Sequence, residues 1–252
     1  MVELYKKVHL NFGQKILKIL KELKKFLTTE LICVHLRLKE NGQQNLSQNK
    51  TNKKFVYLIS PNKIKNDNFY IDLALVFKSK KVSFFQLRLK KETSKNKLII
   101  GKKIKLICSK YRVKFLINDD PLLAKKLNAD GCHLGQGDMS IEKARKILKN
   151  KIIGITCHNS INLAKKAITS GANYLAFGAF YSTKTKIVKY KANLKILKSV
   201  KKITNLPIVA IGGIKHTNYK KLLLNNANFL AISGYIWNNK RYKPFKAIKE
   251  LK

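Results

Sequence analysis

Acidic residues are scarce in this chain, 13 Asp+Glu against 54 Lys+Arg, so the places where they gather are informative. Asp119, Asp120, Asp130 and Asp138 all fall within one stretch of twenty residues. Asp119 and Asp138 each follow a short apolar run. Two carboxylates from adjacent strand ends suit a Mg²⁺ ion that keeps waters and takes further oxygens from a substrate phosphate. Asp120 precedes Pro121 and is expected to cap the following helix instead. Arg88, Lys90 and Lys186, after separate runs, could converge on a polyanion. A lysine here is ordinarily solvated surface, but Arg88 is one of five arginines, and its planar fork matches phosphate oxygens. Gly212–Gly213 and Ser233–Gly234 follow two later runs, where small residues let backbone N–H groups approach a second phosphate. His133 and His158 lie near run ends, and His9, His35 and His216 read as surface residues. No Ser or Cys has a partner by spacing, so a Ser/His/Asp or Cys/His enzyme is not indicated.

The elements that must position these residues are legible from Phe55 onward. The apolar runs are Phe55–Ser60, Ser83–Arg88, Val113–Asn118, Gly131–Gly135, Ile152–Thr156, Tyr174–Gly178, Pro207–Gly212 and Phe229–Ser233. Lys-rich helical stretches lie between them, among them Leu98–Lys110, Ser140–Lys149, Ile161–Ser170, Leu194–Lys202 and Asn218–Asn225, and a basic tail follows from Tyr242. Continuous apolar runs are the pattern of strands buried on both faces, and strict alternation implies a parallel sheet. Eight β/α units predict an α/β fold of the (β/α)8 TIM-barrel type, with an open doubly wound sheet as the alternative. In a barrel the residues after each run share one rim, where active sites form.

Residues 1–52 read differently and are expected to form a separate extension, with the barrel occupying 53–252. Ile16, Leu20, Leu23 and Leu27 have helical spacing, with Lys15, Lys18, Lys21, Lys24 and Lys25 around them, so a basic amphipathic helix is predicted. Asn41 to Asn52 is polar and reads as a linker. The formal net charge of +41 raises nucleic acid or an anionic membrane surface as a partner. The lysines are spread along the whole length, however, which points to a Lys-rich composition with no specific nucleic acid. No apolar run is long enough for a membrane span, and Cys33, Cys108, Cys132 and Cys157 form no CxxC pair. Free thiols in a cytoplasmic protein are expected, and a homo-oligomer is compatible with the sequence.

The motifs QLRLK (86–90), INDD (117–120), GCHLGQGD (131–138), GITCH (154–158), YLAFGAFYSTKTK (174–186), VAIGGI (209–214) and FLAISGYIW (229–237) together resemble one family. It is the thiamine phosphate synthase (thiamine-phosphate pyrophosphorylase) group, which also contains the thiazole tautomerases. The resemblance spans about Phe55 to Ile248. It implies a transferase that joins a hydroxymethylpyrimidine diphosphate to a thiazole phosphate and releases pyrophosphate. Gln86, Arg88 and Lys90, with Leu87 and Leu89 between them, would hold the pyrimidine diphosphate, and Asn118 and Lys186 would add contacts. Arg88, Lys90 and Lys186 would be the catalytic cations, and Asp119 and Asp138 would ligate Mg²⁺. Thr156 would contact the pyrimidine. Thr183 and Thr185, with the backbone at Gly212, Gly213, Ile232 and Ser233, would hold the thiazole phosphate. Ser182 stands where the family usually has Pro, and Gly137 where it often has Glu. The tautomerase branch carries His at the position of Ala179 and lacks the HLGQxD pattern, so the synthase is expected. A tautomerase-like or regulatory thiazole-phosphate binder is the nearer alternative. A basic nucleic-acid or membrane-surface protein on a barrel is the more distant one.

Overall fold

Every one of the eight apolar runs becomes a strand in the computed structural model, which describes residues 54–183 and 190–252. The strands are β1 (Val56–Ile59), β2 (Val82–Leu87), β3 (Lys114–Asn118), β4 (Gly131–Leu134), β5 (Ile152–His158), β6 (Tyr174–Phe177), β7 (Ile208–Ile211) and β8 (Phe229–Ile232). All neighbours pair in parallel, and β8 returns to β1, so the sheet is a closed barrel rather than an open one. The helices are α1 (Asn68–Lys78), α2 (Ser94–Lys110), α3 (Pro121–Lys126), α4 (Ile141–Leu148), α5 (Ile161–Thr169), α6 (Leu194–Lys201), α7 (Lys220–Leu224), α8 (Gly234–Trp237) and α9 (Pro244–Lys249). The helix expected near Ile16–Leu27, the polar stretch Asn41 to Asn52, Cys33, Thr185 and Lys186 lie outside the described residues.

The segment from Tyr242, read from the sequence as a basic tail, contains α9. Pro244 opens it at a first-turn position, and Ala247 and Ile248 are fully buried while Lys246 and Lys249 stay in water. Side-chain caps set where other helices begin. Thr93 accepts from Asn96 N, Asp120 from Leu123 N, Ser140 from Lys143 N and Ser160 from Leu163 N. Among the described residues no helix is long and apolar enough to cross a membrane.

Strand alternation sorts side chains into two cores. Tyr57, Ile59, Leu116, Tyr174, Ala176, Val209 and Ala231 fill the barrel interior, with Phe84, Ile152, Ile211 and Phe229 against them. Val56, Leu58, Phe85, Leu87, Phe115, Ile117 and their counterparts face outward and bury the helices. By the same alternation Gln86 and Arg88 fall on the inward parity of β2, Asn118 on that of β3, His133 on that of β4 and Thr156 on that of β5.

The barrel floor carries a repeated clamp. Asp130, just before β4, bonds the start of β3 twice: its N–H donates to Phe115 O (2.8 Å), and its Oδ2 accepts from Phe115 N (2.9 Å). Asn173 does the same to Ile153 (2.7 and 2.8 Å), and Asn228 to Ile208 (2.8 and 2.8 Å). In each case a buried alanine precedes the clamp residue (Ala129, Ala172, Ala227) and donates to a helix carbonyl. Asp130 therefore belongs to the frame, although the sequence grouped it with the other acids.

Candidate active site

The rim after β2, β3 and β4 brings the candidate charges together. Lys90 Nζ lies 3.0 Å from Asp119 Oδ2. A cleft beside them is lined by Leu87, Leu89, Lys90, Asn118, Asp119 and Leu123. Asp119 takes a left-handed backbone conformation (φ +63°), which short polar residues tolerate better than most, and its N–H donates to His133 O (2.8 Å). Asp138 does not cap α4, because Ser140 fills that position; its Oδ2 instead accepts from Gly135 N at 2.7 Å.

The Asp119 and Asp138 carboxyls influence one another, and their protonation tendencies diverge accordingly. Burial opposes ionisation of Asp119, but the hydrogen bond with Asp138 and the Lys90 ammonium outweigh it, holding Asp119 below the usual carboxylate range. Burial, then the hydrogen bond and charge of Asp119, push Asp138 up. Two carboxyls set beside one lysine form an all-oxygen donor pair, the chemistry a hard divalent cation takes. Among the described residues no group of three or more His, Cys, Asp or Glu converges to hold a metal. The pair therefore fits an ion bound by few protein ligands, which leaves positions for water and phosphate, as Mg²⁺ prefers.

Arg88 is held in place by neighbours that no local motif singles out. Its Nη1 donates to Asn62 Oδ1 (3.0 Å), and its N–H donates to Ser60 Oγ (2.9 Å). Ser60 is buried, and its own N–H donates to Gln86 O at 2.9 Å. Ser233 Oγ donates to Ser60 O at 3.0 Å, so Ser60 ties the ends of β2 and β8 across β1. Gln86 is 2% exposed, at the edge of the barrel interior. Leu87, Leu89 and Ile232 are buried, Leu87 and Leu89 with side chains turned into the outer core, which leaves their backbone as the part available to a ligand.

Gly212 and Gly213 end β7 with φ of +105° and +60°, left-handed values that glycine enters without strain. The sequence suggested glycine here for close approach to an anion; the structure adds a packing reason. A Cβ on Gly213 would lie 2.3 Å from Ser182 O, and one on Gly212 2.4 Å from Ala179 Cβ. The loop after β6 is thus seated on β7, with Phe180 N donating to Ile211 O and Tyr181 N to Gly212 O, each at 3.1 Å. Thr183 is on this loop and half-buried.

Beneath Thr156 lies a polar chain that sequence reasoning missed. His133 Nε2 is 2.9 Å from Thr156 Oγ1, His133 Nδ1 is 2.7 Å from Tyr174 Oη, and Tyr174 Oη is 2.8 Å from Tyr57 Oη. Gln136 Nε2 donates to Thr156 O at 2.6 Å. The only sequence signal was a tyrosine on each of two strands otherwise filled by apolar residues. The described cysteines are buried free thiols, and burial pushes Cys157 up to about 12, so none is a ready nucleophile.

Comparison with known proteins bears on the family of the whole chain. A family model described as thiamine monophosphate synthase matches residues 56–236. The thiamine-phosphate synthase of Pelagibacter ubique (strain HTCC1062) is 81% identical over 207 residues, 82% of this chain and 100% of that protein. That of Nitrosomonas eutropha (strain DSM 101675 / C91 / Nm57) is 38% identical over 184 residues, covering 73% and 86%. Among solved structures, thiamine phosphate pyrophosphorylase from Pyrococcus furiosus superposes with a TM-score of 0.68 at 28% identity, covering 79% of this chain and 94% of that one. With its barrel closed and its rim charges in place, the chain belongs to the thiamine monophosphate synthase family.

Proposed function

We infer that the chain condenses 4-amino-2-methyl-5-(diphosphooxymethyl)pyrimidine with 4-methyl-5-(2-phosphooxyethyl)thiazole to give thiamine phosphate and pyrophosphate, as a transferase. The observation that carries this reading is the 81% identity to a thiamine-phosphate synthase matched over its whole length. The thiazole nitrogen supplies its own lone pair and bonds to the pyrimidine CH₂ while the CH₂–O bond breaks toward the diphosphate. No general base is needed to create the nucleophile, in keeping with a rim that holds cations and carboxylates rather than a triad.

The harder task is expelling pyrophosphate, and the residues after β2 to β4 suit it. Arg88, held by Asn62 and Ser60, and Lys90, beside Asp119, would bind the diphosphate oxygens, with Asn118 and Gln86 alongside. Lys186 is proposed as the third cation. Asp119 and Asp138 would hold Mg²⁺; when bound, it neutralises charge that develops on the leaving group. Release of Asp119 by Lys90 would free both for these partners. Thr156 would contact the pyrimidine. Thr183, Thr185, Gly212, Gly213, Ile232 and Ser233 would hold the thiazole phosphate, which sets the two substrates side by side. The N–H groups of Gly213 and Ile214 donate to no other described residue. An assay of pyrophosphate release that requires both substrates and Mg²⁺ tests the reading. Exchange of thiazole tautomers without condensation would favour the tautomerase instead.

A further inference from the structure

The polar chain inside the barrel has a dead end, and that end decides which way its hydrogens run. Tyr57 is 2% exposed, stacked on Phe84 at 5.5 Å, and Phe84 meets Phe229 edge-on at 5.0 Å. Its hydroxyl has one hydrogen-bond partner among the described residues, Tyr174 Oη. Tyr174 is equally enclosed, its ring stacked on His133 with centroids 5.6 Å apart. Gly154 makes room for that ring, since a Cβ there would lie 1.9 Å from Tyr174 Cζ.

Two polarities are conceivable. In one, Thr156 donates to His133 Nε2, His133 Nδ1–H to Tyr174, and Tyr174 to Tyr57. The Tyr57 hydrogen is then left among apolar side chains with no acceptor. In the other, Tyr57 donates to Tyr174, Tyr174 to His133 Nδ1, and His133 Nε2–H to Thr156 Oγ1. Every buried hydrogen is then spent, and only an oxygen lone pair goes unused at the floor. A buried donor without an acceptor is the costlier defect, so the second polarity prevails. A doubly protonated His133 fails for the same reason, because Tyr174 would again have to donate to Tyr57. In the surviving arrangement the Thr156 hydroxyl accepts from within and keeps its own hydrogen. Gln136 holds the Thr156 carbonyl from the other side.

We propose that Tyr57, Tyr174 and His133 are positioning residues: they form a one-way hydrogen-bond chain that keeps the Thr156 hydroxyl hydrogen free to donate, favouring an acceptor nitrogen of the pyrimidine substrate. This rests on the assignment of Thr156 to the pyrimidine site. The chain's polarity, however, can be measured without turnover. Long-range proton–nitrogen NMR of the histidine rings of the whole chain should show His133 as the neutral Nε2–H tautomer, its signals identified by their loss in His133→Gln. An Nδ1–H tautomer or an imidazolium at His133 would overturn the proposal.

Kinetics supply the second arm. Tyr174→Phe should lower kcat/KM for the pyrimidine diphosphate about tenfold, the worth of one aligned hydrogen bond, with KM for the thiazole phosphate unmoved. Tyr57→Phe should cost less than about threefold, because Tyr174 still donates to His133. The double variant Tyr57→Phe/Tyr174→Phe removes the stranded hydroxyl and should regain the melting temperature lost in Tyr174→Phe while kcat/KM stays low. If the double variant regains both, the tyrosines merely support the core, and the proposal falls. A wild-type chain that releases no pyrophosphate would refute the proposed function, yet the tautomer would still decide the polarity.

Discussion

Asp130→Ala separates the acids of the frame from those of the site. Asp130 Oδ2 is the acceptor for Phe115 N, and Phe115 is fully buried. Without the carboxylate that donor has no partner, at a cost of about 1–3 kcal/mol. Lys114 (3.0 Å) and Lys105 (3.4 Å) also lose their pairing, worth about 0–1 kcal/mol because both reach solvent. The expected loss is therefore about 1–4 kcal/mol, which for a barrel of this size lowers the melting temperature by about 2–16 °C. Asp130→Asn keeps the acceptor, as Asn173 and Asn228 do at the equivalent clamps, and should cost less than about 1 kcal/mol. The pH dependence has a definite sign. Burial alone would raise the Asp130 carboxyl, but the Phe115 N–H and the two lysines outweigh it and hold it below its ordinary value of 3.8. Its stabilisation is thus complete above that value and is lost as pH falls through the lower folded one. The melting temperatures of wild type and Asp130→Asn should converge only in acid. Thermal melts across pH, with kcat/KM and Mg²⁺ dependence measured at 25 °C, form the assay. Asp130→Ala that melts like wild type, or that loses Mg²⁺ dependence while remaining as stable, would refute the division.

Asp119→Ala and Asp138→Ala should instead lose pyrophosphate release and Mg²⁺ dependence together while melting within a few degrees of wild type; wild-type turnover in either excludes that residue as a required ligand. Arg88→Ala should weaken binding of the pyrimidine diphosphate and spare the thiazole phosphate, whereas Gly213→Val should do the reverse. The structure adds a stability cost to the glycine variant, since its Cβ would meet Ser182 O, so ligand binding is to be measured below its melting transition. Loss of the same ligand in both variants would refute two separate anion sites. A chain starting near Asn52 should fold and turn over at a similar rate, because β1 begins at Val56 and the barrel closes on itself from there. An insoluble or inactive product would show that the preceding residues are needed.

Strand number, parallel order and the composition of the rim were legible because they depend on short-range patterns. Runs such as FVYLIS and FLAIS announce doubly buried strands, and Asp120–Pro121 announces a helix start, each within a few residues. Asp119 and Asp138 follow apolar runs whereas Asp130 precedes one, so the pairing of the first two was legible; the role of Asp130 was not, because its clamp on Phe115 is a contact between neighbouring strands at the floor. The Lys90 contact and the positive φ of Asp119 exist only once β2, β3 and β4 are side by side. The Ser60 link between β2 and β8 requires closure of the barrel, because it joins residues 173 apart in the chain. The Tyr57–Tyr174 hydrogen bond spans 117 residues and has no periodic signature. Hydrophobic patterning says which side of a strand is buried. It does not say which polar group from across the barrel will meet a buried hydroxyl, and that pairing, enforced by the cost of an unsatisfied donor, was decided by tertiary structure alone.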